Sequence, residues 1–153
     1  MIREKISLAL KDAMRAKDEA KTTTLRMVNA AIKQKDIDVA RPRGDRQIGD
    51  NELLSLLQSL VKSRRESIEL YKQGGRQDLV DKEAAEIALI EEFLPKQMSE
   101  EEIRAAVSEI VASLGVNSVK DMGKVMAAIK SKYAGQLDMT KASAAVKRAL
   151  PGS

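Results

Sequence analysis

Residues 51–73 read NELLSLLQSLVKSRRESIELYKQ. Leu54, Val61 and Ile68 recur every seven positions, and Leu57, Arg64 and Tyr71 repeat that interval three residues later. Such spacing gives a helix one apolar seam, so it predicts coiled-coil-like packing against neighbouring helices. Asp50 stands where an N-cap is expected, and Gly74 with Gly75 supplies the stop, because glycine readily takes the left-handed C-cap conformation.

Working outward, the same periodicity returns on both sides. Ile6, Leu10 and Ala13 predict a first helix over 2–17. Leu25, Val28 and Ile32 predict a second, with Thr22 to Thr24 as candidate N-caps. Between them and the long helix lies VARPRGDRQIGD, rich in Arg, Gly and Pro, which is expected to be an exposed, mobile loop. A fourth helix is expected over 77–93, with Val80, Ile87, Ile90 and Leu94 inward and Pro95 as its stop. After LPKQMSEEEI, the expected domain boundary, Ser99 and Glu102 have capping-box spacing for a fifth helix that ends at Gly115. Ser118 with Asp121 repeats that logic for a sixth helix ending near Gly135. Asp138 caps a seventh, which Pro151 and Gly152 close. The expected fold is therefore all-α: a four-helix bundle-like N-terminal domain (1–95) and a three-helix tail domain (96–153).

Composition agrees with helices and narrows the chemistry. Aromatic residues make up only 2% of the 153 residues, so the core must come from Leu, Ile, Val, Met and Ala, which suit helices. With no Cys and no His there is no disulfide, thiolate metal site, nucleophilic thiol or imidazole base. No metal site, cofactor or catalytic residue is expected. A small enzyme using carboxylates and lysines is the weakest of the functional readings. No apolar run approaches the roughly 20 residues a membrane span needs. MIREKISLALKDAM is charged throughout and lacks a secretory h-region, so the expected address is the cytoplasm.

Charge is unevenly placed. Residues 1–95 carry 18 basic and 17 acidic side chains, whereas 118–150 hold seven basic residues (Lys120, Lys124, Lys130, Lys132, Lys141, Lys147, Arg148) against Asp121 and Asp138. The fifth helix has four glutamates and only Arg104. Lys120 and Lys124 share one face and Lys141 and Arg148 another; such faces can track phosphates or be plain solvated surface. The MGKV stretch is not a phosphate loop, since that motif needs a glycine at position 118 and a hydroxyl at 125, where Ser118 and Val125 stand. Val119, Met122, Met126 and Ile129 are expected to pack against Met139, Ala142, Val146 and Ala149, as core or as a methionine-rich groove for a partner helix. Gly123, costly in a helix interior, suggests a close backbone approach there. On the long helix Arg64 interrupts the seam. Glu83 is its expected buried partner, with Asn29 nearby, since a charge there is expensive unless paired.

Four segments, LRMVNAAIKQKDID, KSRRESIELYKQGGRQDLVDKEAAEI, EFLPKQMSEEEI and DMGKVM, resemble the YqeY family, also called GatB/YqeY-domain proteins. That family is similar to the C-terminal helical and tail region of the B subunit of the tRNA-dependent amidotransferase. A similar module opens some glutaminyl-tRNA synthetases, where it contacts tRNA and leaves chemistry to other domains. The resemblance implies tRNA or another structured RNA as partner, met alone or within an aminoacylation or amidotransferase complex. It also implies Lys124 and Lys141 as RNA contacts, to which the charge pattern adds Lys120, Lys147 and Arg148. The family turn Gly-Arg-Ala-Asp-Gly reads GQLDM here, keeping Gly135 and Asp138 and losing the arginine. The larger enzyme's catalytic domains are absent, so carbon–nitrogen ligase activity with glutamine as amido donor is not expected of this chain alone. The alternative to RNA binding is a helical protein-interaction module.

Overall fold

The computed structural model describes residues 1–150. Seven α-helices run in order: α1 (Ile2–Arg15), α2 (Glu19–Lys35), α3 (Asp50–Gln73), α4 (Gln77–Glu91), α5 (Glu100–Leu114), α6 (Met122–Lys132) and α7 (Met139–Ala149). No strand occurs among the described residues, and the chain is all-α. The closure of α7 by Pro151 and Gly152 lies outside the described residues. Contacts divide the chain into two compact units, Met1–Leu94 and a second that begins at Pro95.

In the first unit α1 packs on α2 and α3 on α4. Ile6, Leu25, Val28, Leu53, Leu57 and Ile90 are at most 1% exposed and form the centre of its core. The N-terminal half of α3 is buried on a wider stripe than the seam predicts, because Leu53 and Leu56 join Leu54, Leu57 and Val61. Its C-terminal half is peripheral, with Arg64, Ile68 and Tyr71 half-buried.

Helix ends depart from the sequence reading in instructive ways. Asp18, not the Thr22–Thr24 run, caps α2, accepting the Lys21 amide at 3.1 Å; Thr24 is buried inside the helix and donates to the Ala20 carbonyl. Gly49, not Asp50, is the N-cap of α3, and Glu52 reaches back to its amide at 3.0 Å. At the other end of α3, Gly75 holds the left-handed conformation (φ 68°) while Gly74 does not.

The segment expected to be a mobile loop is built. α2 widens into a π-turn, Asp36–Ala40, and tightens into a 3-10 turn, Arg41–Arg43, before Gly44 turns left-handed. Ala40 and Ile48 enter the core. Asp36 is buried and accepts both Arg3 terminal nitrogens, at 3.0 and 2.6 Å, and the Ile48 amide at 2.8 Å. Arg43 donates to Asp45 at 2.7 Å and bidentately to Glu52, which holds the Glu52 carboxyl down to about 2. An Arg- and Pro-rich composition hides this order, because the groups that fix it lie in α1 and α3.

In the second unit the Ser99–Glu102 capping box forms with both bonds, and Gly115 ends α5 at φ 66°. Ser118 caps only a 3-10 turn, Val119–Asp121, that precedes α6; Asp121 accepts no capping bond. Asp138 caps α7 through the Thr140 and Lys141 amides. α5 packs on both α6 and α7. Ile103, Val107, Val125, Ile129, Ala142 and Val146 are at most 1% exposed. Met122 and Met126 pack, partly buried, on this core, while Val119 and Met139, expected inside, are exposed. Gly123 faces open space: a Cβ there would meet nothing within 4 Å, so no helix approaches it.

Candidate nucleic-acid interface

Each lysine of the second unit sits at a definable place on its helix. Lys120 lies in the 3-10 turn and Lys124 in the first turn of α6, while Lys141 lies in the first turn of α7. The backbone dipole at the start of α6 and α7 favours anions, so Lys124 and Lys141 do nothing for their own helices, and Lys120, just ahead of α6, gains nothing from that end either. Lys130 and Lys132 on α6, and Lys147 and Arg148 on α7, occupy last turns, where a cation stabilises the helix end. Their positions therefore have a local explanation that Lys120 and Lys124 lack.

Pairing separates them further. Among the described residues Lys120, Lys124, Lys130, Lys147 and Arg148 are exposed and make no ion pair. Lys141 Nζ lies 3.9 Å from Glu100 Oε1, and Lys132 lies 3.7 Å from Glu109 and 5.5 Å from the Tyr133 ring centre. The acidic α5 thus touches the basic helices at two points and leaves five cations uncompensated. The structure brings Lys141 and Arg148 together in a small groove of about 80 Å³ between α5 and α7. Glu100 and Arg104 share that groove, and the sequence reading did not assign either to it. Lys120 and Lys124 lie elsewhere, on the α6 side.

The turn leading to α7 is held from below. Met98 N donates to the Gln136 carbonyl at 2.8 Å and Gln97 Nε2 to the Gly135 carbonyl at 2.6 Å. Gly135 itself turns left-handed at φ 78°. Those two bonds fix where α7, and so Lys141, begins.

In the first unit Arg64 finds a different principal partner. Its Nε donates to Glu86 Oε2 at 2.9 Å, while Glu83 Oε2 stands at 3.9 Å. The guanidinium also donates to the Leu60 carbonyl at 3.0 Å, and Met27 Sδ, not Asn29, meets it from α2 at 3.5 Å. Glu86 lies one turn beyond Glu83, and an arginine side chain spans that distance easily; helical phase alone does not choose between them. Glu86 also lines a groove of about 780 Å³ between the start of α2 and α4, walled by Ala20, Ala85, Ala88 and Leu89. No group of three or more acidic residues able to hold a metal occurs among the described residues, and no helix there is long and apolar enough to cross a membrane.

An all-α chain of two helical units, the second carrying unpaired lysines, defines the class. The family model described as Yqey-like protein matches residues 3–150, and the chain belongs to the YqeY family. It is similar to the protein named altered inheritance of mitochondria protein 41, mitochondrial, from Eremothecium gossypii: 35% identity over 144 residues, covering 92% of this chain and 76% of that protein. The proteins of the same name from Lachancea thermotolerans and Kluyveromyces lactis are 36% and 38% identical, each over 69% of this chain. The chain spans just over half of their length, 55% and 56%. These relatives overturn the cytoplasmic address expected above, since each is named a mitochondrial protein. A charged segment without an apolar h-region does not distinguish the cytoplasm from an organelle.

Proposed function

We propose that this protein is a non-catalytic accessory module that binds tRNA or another structured RNA through its second unit, alone or within an aminoacylation or amidotransferase complex. The observation that carries the reading is the set of exposed cations without carboxylate partners, above all Lys124, which opposes the dipole of α6, and Lys120 in the turn just before that helix. Cations retained against local electrostatics suit an anion from outside the chain. Phosphates release counterions when such side chains contact them, and they position a nucleic acid without reading its sequence. We also infer a mitochondrial setting from the names of the relatives, which fractionation of cells expressing the tagged protein checks.

Binding to unmodified tRNA, followed across a series of salt concentrations, tests the proposal. Changing Lys120, Lys124, Lys141 and Arg148 together to alanine should lower the slope of log K against log salt by about 0.7–0.9 for each true contact. Lys141 should contribute less than Lys120 or Lys124, because it first has to leave Glu100. The substitutions touch exposed side chains and should leave the helical content unchanged. A wild-type protein with no tRNA affinity at low salt, or a variant with an unaltered slope, overturns RNA binding. The helical interaction module is then left standing, with the groove between α2 and α4 as its first place to look.

A further inference from the structure

A further group of cations lies far from these lysines in the sequence, in the first unit. Lys33 near the end of α2, Arg41 in the 3-10 turn and Arg46 in the following loop line one open pocket of about 550 Å³, together with Asp36, Ile37, Gly44, Asp45 and Gln47. The two carboxylates are already engaged. Asp36 is held by Arg3 and the Ile48 amide, and Asp45 by Arg43. The three cations are not: among the described residues the side chains of Lys33, Arg41 and Arg46 make no hydrogen bond or ion pair. The two arginines flanking Pro42 thus differ in role. Arg43 is spent on Asp45 and Glu52, while Arg41 faces the pocket unpaired.

We propose that this pocket binds a chain of phosphate groups. Counting Asp36 with Arg3, and Asp45 and Glu52 with Arg43, the surroundings keep a net charge of +2 (Arg3, Lys33, Arg41, Arg43 and Arg46 against Asp36, Asp45 and Glu52). A ligand with more than one negative charge matches that excess. The guanidinium forks of Arg41 and Arg46 suit tetrahedral oxyanions, and Lys33 adds a mobile point charge. The pocket is wider than one phosphate and has no aromatic wall on which a base could stack, so recognition rests on the phosphates themselves. The π-turn and the 3-10 turn carry the chain from Lys33 to Arg41, and left-handed Gly44 turns it so that Arg46 lines the same pocket. Turns of the π type are over-represented at functional sites. The pocket stands apart from the RNA reading of the second unit and does not depend on it.

Tripolyphosphate is the probe, titrated calorimetrically into the full chain at low salt. Wild type should bind and gain several degrees in Tm, and sodium chloride at equal ionic strength should give neither. Arg41→Gln with Arg46→Gln should weaken binding at least tenfold, and Lys33→Gln should weaken it less. Neither arginine makes a hydrogen bond, and Arg41 is the smallest of the contributions that keep Asp36 ionised, so the unliganded Tm should fall only slightly; if the double variant unfolds, Arg46→Gln alone is read instead. Lys120→Ala with Lys124→Ala should leave tripolyphosphate binding intact, which keeps this site's failure separate from that of the second unit. A short polyuridine RNA that competes with tripolyphosphate assigns the pocket to an RNA backbone, and RNA that does not compete assigns it to a free oligophosphate. No tripolyphosphate binding, binding equal in the double arginine variant, or an effect matched by sodium chloride overturns the proposal.

Discussion

Lys17 is the one non-glycine residue with positive φ among those described, at 56°. It sits just past α1, where the Asp18 amide donates to the Ala13 carbonyl and the Lys17 amide to Met14, the bond pattern of a Schellman stop. A β-carbon in the left-handed region costs roughly 1–2 kcal/mol, and glycine avoids it, offset in part by the greater entropy its unfolded chain loses on folding. Lys17→Gly should therefore raise stability by about 0.5–1 kcal/mol in urea unfolding. Asp36 is the opposite case, a residue already at its best. Hydrogen bonds from Arg3, then the Ile48 amide and the charges of Arg3 and Arg41, hold its carboxyl below the usual aspartate value against the cost of burial. Because the folded-state value is the lower one, this stabilisation is complete above about pH 4 and is lost as pH falls through the folded value. Asp36→Asn should cost about 1–3 kcal/mol near neutral pH. It should also flatten the decline of stability below about pH 4; a decline as steep as in wild type would show that Asp36 does not drive it.

On the scale of elements, α3 joins the others through its seam and through Arg64. Arg64 is 15% exposed in its side chain and Glu86 18%, so the pair is shielded but not dry. Removing one partner of a fully buried pair costs about 3–5 kcal/mol, and water access should bring Arg64→Ala down to about 2–3. A double-mutant cycle with Glu86→Ala should give a coupling above about 1 kcal/mol, and one with Glu83→Ala a smaller value, since 2.9 Å beats 3.9 Å. Equal couplings would mean the arginine is shared. The existence of all seven helices was legible, as were the Ser99–Glu102 box and the Asp138 cap, because each depends on residues within one turn. Which carboxylate receives Arg64 was not, because Glu83 and Glu86 are one turn apart on the same helix and side-chain reach decides.

For the whole molecule, the division at Leu94–Pro95 has an energetic consequence. Residues 1–94 hold the larger core, with Ile6, Leu25, Leu53, Leu57 and Ile90 fully buried, and should fold cooperatively as a fragment. The second unit has some fifty-five described residues built on Ile103, Val107, Val125, Ile129 and Val146, and it should be marginal alone, as domains below about 70–80 residues commonly are. Circular dichroism of the two fragments during thermal unfolding checks this; a stable second unit beside a disordered first would reverse the assignment. By itself the sequence determined the all-α class, the order of the helices, most of their ends and the excess of positive charge after Ser118, since periodicity, caps and composition are local properties. Tertiary structure alone decided that the Arg- and Pro-rich segment is an ordered π- and 3-10 turn, because Arg3 and Glu52 hold it from other helices. It alone decided that Gly123 borders open space, and which cations stay unpaired. Partners distant along the chain leave no periodic trace, so only folding reveals where charge is spent and where it is left over.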